Sequence, residues 1–172
     1  KRISSSKEGF SYVVKNDGQK NNVILISAPD GITEFDGKVT AGDGRAVTIT
    51  AINDGAFSNS SELKWVTLPE SVKTIGSGAF KNCSKLVGVL IDSKDTVRIE
   101  NKAFDGCDAL RFIASNAMNG SIADGYIPYV EDKYGPQNLN SKFFFALPEA
   151  EGYEAFANQL AGSEYVAQYT LE

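Results

Sequence analysis

The chain has 172 residues, 42% of them hydrophobic and 23% charged, with a formal charge of -5, which gives enough apolar surface for a sizeable core within the span of one domain. Its acidity weighs against nucleic acid as a partner, because phosphate backbones are held by clustered Lys and Arg. With no histidine anywhere, Ser-His and Cys-His dyads, histidine zinc ligands and the commonest general base near neutral pH are excluded.

Residues 1 to 9, KRISSSKEG, are charged and serine-rich without periodicity and read as a flexible tether. Phe10 to Val14 and Val23 to Ala28 are runs of β-formers either side of NDGQKNN, whose Asp17-Gly18 tolerates positive φ, so the stretch predicts a capping hairpin. In the second run Val23, Ile26 and Ala28 have the spacing of Leu63, Val66 and Leu68, with Pro29 placed like Pro69, as in a degenerate first copy of a repeat. The segment DGKVTAGDGRA, Asp36 to Ala46, reads as a polar insertion loop before Val47 resumes the strand pattern. No apolar run approaches the roughly 20 residues of a membrane helix, so membrane insertion is not expected. Met118 is the only methionine, which fits a leader removed upstream.

From Val47 onward the repeat is regular. Ile52, Ile75 and Ile99 each stand four residues before an Ala-Phe pair, Ala56-Phe57, Ala79-Phe80 and Ala103-Phe104, and each pair leads into NSSEL, NCSKL or GCDAL. The copies are spaced by 23 and then 24 residues, a period that marks a solenoid of stacked coils. The extra residue of the third copy, between Ile91 and Ile99, calls for a bulge or longer turn. In Leu-x-x-Val-x-Leu, as Leu63, Val66 and Leu68, the named residues point inward; alternation turns Lys64, Trp65 and Thr67 outward, then Val87, Gly88 and Leu90, then Arg111, Phe112 and Ala114. Beyond Phe112 the period dissolves until Phe143 to Leu147, a last strand, and Tyr153, Phe156 and Leu160, spaced as an amphipathic helix that Gly162 stops. The expected layout is one domain after the tether: cap and insertion over 10–46, regular repeats over 47–116 and a C-terminal cap over 117–172.

Cys83 and Cys107 occupy the same place in successive copies. They are either two reduced, buried thiols, as free cysteines generally are, or a bridge between neighbouring coils. Asp92 with Asp95, and Asp105 with Asp108, could hold calcium or act on a glycoside, but solvated turn residues are the simpler reading, and neither a metal nor any other cofactor is expected.

The stretch LPESVKTIGSGAFKNCSKL resembles the bacterial leucine-rich repeats of the BspA-like type, with their Leu-Pro, Val-x-x-Ile-Gly, Ala-Phe and following Cys; the similarity covers about residues 47 to 116. It departs in lacking a Pro after Ile91 and in carrying Gly162 where such tails often have a Trp. The resemblance implies an α/β fold: a short leucine-rich-repeat solenoid with parallel strands, an N-terminal β-hairpin cap and a C-terminal strand-helix cap. It also implies a secreted or surface-displayed bacterial protein used for binding or adhesion, with no shared catalytic site.

The outward strand face is the candidate site: Trp65, Val87, Leu90 and Phe112 as an apolar strip, with Lys64, Thr67 and Arg111 beside it. The alternative is that an insertion or the C-terminal tail covers the strip and makes Trp65 core. Two function classes are open: a non-catalytic extracellular module, acting as a monomer on a protein or glycan, or a structural spacer of a larger surface protein with no ligand of its own.

Overall fold

Along Trp65-Val66-Thr67-Leu68 half-buried and buried residues alternate, as a strand with one face in a core requires. The computed structural model describes residues 2–16, 18, 19, 21–92, 97–100 and 102–110 in full, and the backbone of four strands at 112–115, 120–122, 138–139 and 143–146. Among the described residues thirteen strands are present: β1 (Ile3–Ser5), β2 (Ser11–Val14), β3 (Asn22–Ser27), β4 (Glu34–Phe35), β5 (Thr48–Ile52), β6 (Trp65–Leu68), β7 (Thr74–Ile75), β8 (Gly88–Ile91), β9 (Arg98–Ile99), β10 (Phe112–Ser115), β11 (Gly120–Ile122), β12 (Asn138–Leu139) and β13 (Phe143–Ala146). They form two sheets, an eight-stranded one in the order β1-β2-β3-β5-β7-β9-β11-β12 and a five-stranded one in the order β13-β10-β8-β6-β4. The chain passes from one sheet to the other within every coil.

Between coils the pairing is parallel and in step. Val66 lies beside Val89 and Leu68 beside Ile91 in one sheet, while Ile52, Ile75 and Ile99 align in the other. The third side of each coil carries the Ala-Phe pair, and Phe57, Phe80 and Phe104 stack in a column with ring centroids 4.9 and 5.3 Å apart. At its N-terminal end Phe35 and Phe10 close the column, Phe35 lying 5.3 Å from Phe57 and 5.1 Å from Phe10.

The corners explain the residues that recur around Ala-Phe. Each coil makes two left-handed turns there, the first at Gly55, Gly78 and Lys102 and the second at Asn59, Asn82 and Gly106, with φ between 58° and 74°. Gly and Asn tolerate that region best. Asn82 Nδ2 donates to Asn59 Oδ1 at 3.1 Å, and a side chain at Gly106 would strike the Asn82 amide. Gly76 marks a close approach between the backbones of two coils, since a Cβ there would lie 2.5 Å from the backbone nitrogen of Asp54. Asp54 uses its carboxylate to accept the Ser77 N–H at 2.8 Å.

Four expectations need correction. Ile3–Ser5, expected within a flexible tether, form β1, antiparallel to β2. The segment is held because Ser6 Oγ accepts the Phe10 N–H and Glu8 takes the Thr40 N–H; its polar residues lie on an edge strand with little to bury. Second, β3 is not the counterpart of β6: it pairs parallel with β5, and β4 is the strand beside β6. The degenerate coil exists, but with Val23 and Leu25 inward rather than Val23, Ile26 and Ala28, of which Ile26 and Ala28 are only half-buried. Third, the repeat does not dissolve after Phe112: β11 pairs parallel with β9, setting Ile122 beside Ile99. Fourth, no helix occurs among the described residues, so the fold there is a β-solenoid rather than α/β. On the third side alternate amides, those of Gly55, Phe57 and Asn59, donate to carbonyls of the next coil, which leaves no i to i−4 ladder to form. The helix expected over Tyr153, Phe156 and Leu160 lies outside the described residues, as do residues 93–96 of the bulge or longer turn expected between Ile91 and Ile99.

Candidate binding surface

The outer face of the five-stranded sheet is built in rows by the coil register. One row runs Glu34, Trp65, Gly88 and Phe112; the next runs Thr67, Leu90 and Ala114. Trp65 is half-buried because its six-membered ring lies where a side chain on Gly88 would be, and a Cβ at Gly88 would collide with it. Gly88 is therefore the seat of the indole. Thr67, Val87 and Leu90 are half-buried and Lys64 is exposed; the Lys64 carbonyl accepts the Val87 N–H at 2.8 Å, joining their positions across the coils. Five of the seven residues expected on this face are thus brought together. Of the other two, Phe112 has its backbone beside Gly88 in β10 and Arg111 lies outside the described residues.

One neighbour escaped the sequence pattern. Glu34 stands beside Trp65, and the signal was there: Ile32-x-Glu34-Phe35 repeats Leu63-x-Trp65-Val66, an equivalence hidden by the insertion before Val47. Glu34 also rims a groove of about 480 Å³ at the N-terminal end of this sheet, where Asp30 and Asp36 join it. The eight-stranded sheet carries its own groove of about 490 Å³ over Thr50, Lys73, Thr74 and Glu100. Both volumes fall in the range of small-molecule sites.

The two thiols face inward. Cys83 Sγ donates to the Phe57 carbonyl at 3.1 Å and Cys107 Sγ to the Phe80 carbonyl at 3.0 Å. Both are free and fully buried. The neighbouring Cys83 thiol, and then burial, push the Cys107 thiol above its ordinary value, so it keeps its proton. The first coil places Ser60 at the same position. Among the described residues no three His, Cys, Asp or Glu side chains gather as a metal centre needs.

No curated protein matches the sequence. Three solved structures share the architecture. A leucine rich cell surface protein from Faecalibacterium prausnitzii superposes with a TM-score of 0.54 at 20% identity, over 73% of this chain and 33% of its own. A leucine-rich repeat protein from Bacteroides capillosus gives 0.53 at 25% identity, over 64% of this chain and 80% of its own. The leucine-rich repeat protein of T. pallidum gives 0.50 at 26% identity, over 63% and 48%. The chain thus spans about a third of the length of the first and about half of the last. Six copies of one repeat are recognised between residues 46 and 126, the stretch that β5 to β11 occupy. Those residues match the BspA type leucine rich repeat region.

Proposed function

We propose that this chain is a non-catalytic binding module, displayed on or released from the bacterial cell surface, that presents the outer face of its five-stranded sheet to a protein or glycan. The observation that carries this reading is the seat of Trp65 on Gly88. A glycine at that register position holds a large ring against the sheet at little conformational cost, and rigid aromatics of that kind dominate recognition surfaces. Thr67 and Leu90 extend the face by one row, and Lys64 supplies a charge at its border. The description of the Faecalibacterium protein as a cell surface protein supports the location.

The test is retention of the purified domain on arrays of matrix proteins and glycans, wild type against Trp65→Ala with Phe112→Ala. Loss of a wild-type signal in a variant that still melts cooperatively supports the binding face. An unchanged signal means that the ligand sits elsewhere, and the absence of any wild-type signal favours the spacer reading.

A further inference from the structure

The five-stranded sheet ends at β4, a strand paired with β6 on one side only among the described strands. Glu34 and Phe35 of that strand line the groove of about 480 Å³, whose apolar part comes from Pro29, Ile32 and the edges of the buried Phe10 and Phe35. Its rim is acidic: Glu8, Asp30, Glu34 and Asp36 against the single cation Lys38. Glu8 and Asp36 are partly committed, to the Thr40 and Lys38 amides. Among the described residues no hydrogen bond or ion pair engages the carboxylates of Asp30 and Glu34.

An open strand edge beside a partly apolar groove is the geometry of strand addition, in which a guest's backbone pairs with the edge and its alternate side chains enter the groove. The rim decides which guest. A second copy of this chain would bring the same carboxylates and a charge of -5, and like charges meeting across a strand pair are repelled. Short, charged edges serve to stop self-pairing, and a guest of opposite charge evades that defence. We infer that the β4 edge and its groove accept an extended, lysine- or arginine-bearing segment of a partner protein as an added strand. This deepens the proposed binding role and rests on it: Glu34 is the register neighbour of Trp65, so the guest strand extends the same sheet whose outer face carries the indole.

The protein is titrated by isothermal calorimetry with an alternating Lys-Thr octapeptide, its Glu-Thr counterpart, and a Lys-Thr peptide N-methylated at every second residue along one edge. The expected result is binding of the Lys-Thr peptide that weakens at least tenfold between about 50 and 200 mM salt, and equally in Glu34→Gln with Asp36→Asn. The Glu-Thr and N-methylated peptides should be silent. Equal binding of all three, no binding of any, or full binding of the N-methylated peptide overturns the inference. If the peptides fail while a protein or glycan ligand is still lost on Trp65→Ala with Phe112→Ala, the strand-addition site falls and the sheet face stands.

Discussion

Two parts of one aromatic column behave differently. Phe57, Phe80 and Phe104 lie nearly parallel, with planes 17° and 5° apart, whereas Phe10 and Phe35 meet each other and Phe57 at 51°, 62° and 47°. Aromatic pairs adopt offset-stacked or tilted arrangements with similar ease, so the rings themselves do not make the difference. Coils of almost equal length repeat the backbone by translation, and each phenyl inherits the setting of the one before it. At the N-terminal end the rings come from a loop and a short strand with no such constraint, and each packs against what it finds. A fault in the repeated part is therefore passed to both neighbours, while a fault at the end stays local.

The largest expected effect lies in the repeated part. Phe80→Ala should cost about 3–5 kcal/mol, the range for a fully buried aromatic, because Phe80 is 0% exposed and stacked on both faces. Phe10→Ala should cost at least about 1 kcal/mol less, since its loop can settle into part of the space. Equal losses in urea denaturation would erase the distinction between the regions. Next comes Gly76→Ala, which forces a methyl group against the Asp54 backbone and should cost about 1–3 kcal/mol as overpacking does. Gly42→Ala, at the unrepeated end with nothing nearer than 4.0 Å, should be close to neutral.

The cysteine column gives a pH test confined to the repeats. Cys107 has a folded value raised above the ordinary thiol value of 9.0, so its contribution is complete below that pH and is lost as the pH rises and the unfolded thiol ionises first. The stability advantage of wild type over Cys107→Ala should shrink above about pH 9 by up to about 1.4 kcal/mol per unit; a constant gap would deny the thiol its buried hydrogen bond. One effect in the repeats is a gain. Lys102 holds φ at 58° where the preceding coils have Gly55 and Gly78, and Lys102→Gly should stabilise by about 1 kcal/mol, read as a higher melting temperature.

The coils were legible because their period is enforced by packing: Ile, Ala-Phe and Leu must recur wherever one coil lies on another, and they do so in plain sequence. The ends were harder to read. Ile3–Ser5 have no apolar alternation, since β1 sits at a sheet edge with Ile3 60% exposed, and the segment is held by backbone bonds, in the ladder with β2 and to Phe10 and Thr40. The partner of β6 was misassigned for a related reason. Val23 to Ala28 matches its spacing, but the true equivalent, Glu34–Phe35, is two residues long and too short to show a pattern. Of the candidate surface, alternation put Trp65 and Thr67 on the same face of β6. It could not show that Gly88 is a seat for the indole, because a glycine in sequence carries no sign of what lies on it.

The in-step pairing of β6, β8 and β10 has an evolutionary consequence. Because each layer is a copy displaced by one strand spacing, about 4.8 Å, duplicating a stretch such as 63–85 would deepen the stack by one tier and leave the phenylalanine plug at one end and β13 at the other undisturbed. Reach can thus be tuned in discrete increments by unequal recombination, with no tier having to be reinvented.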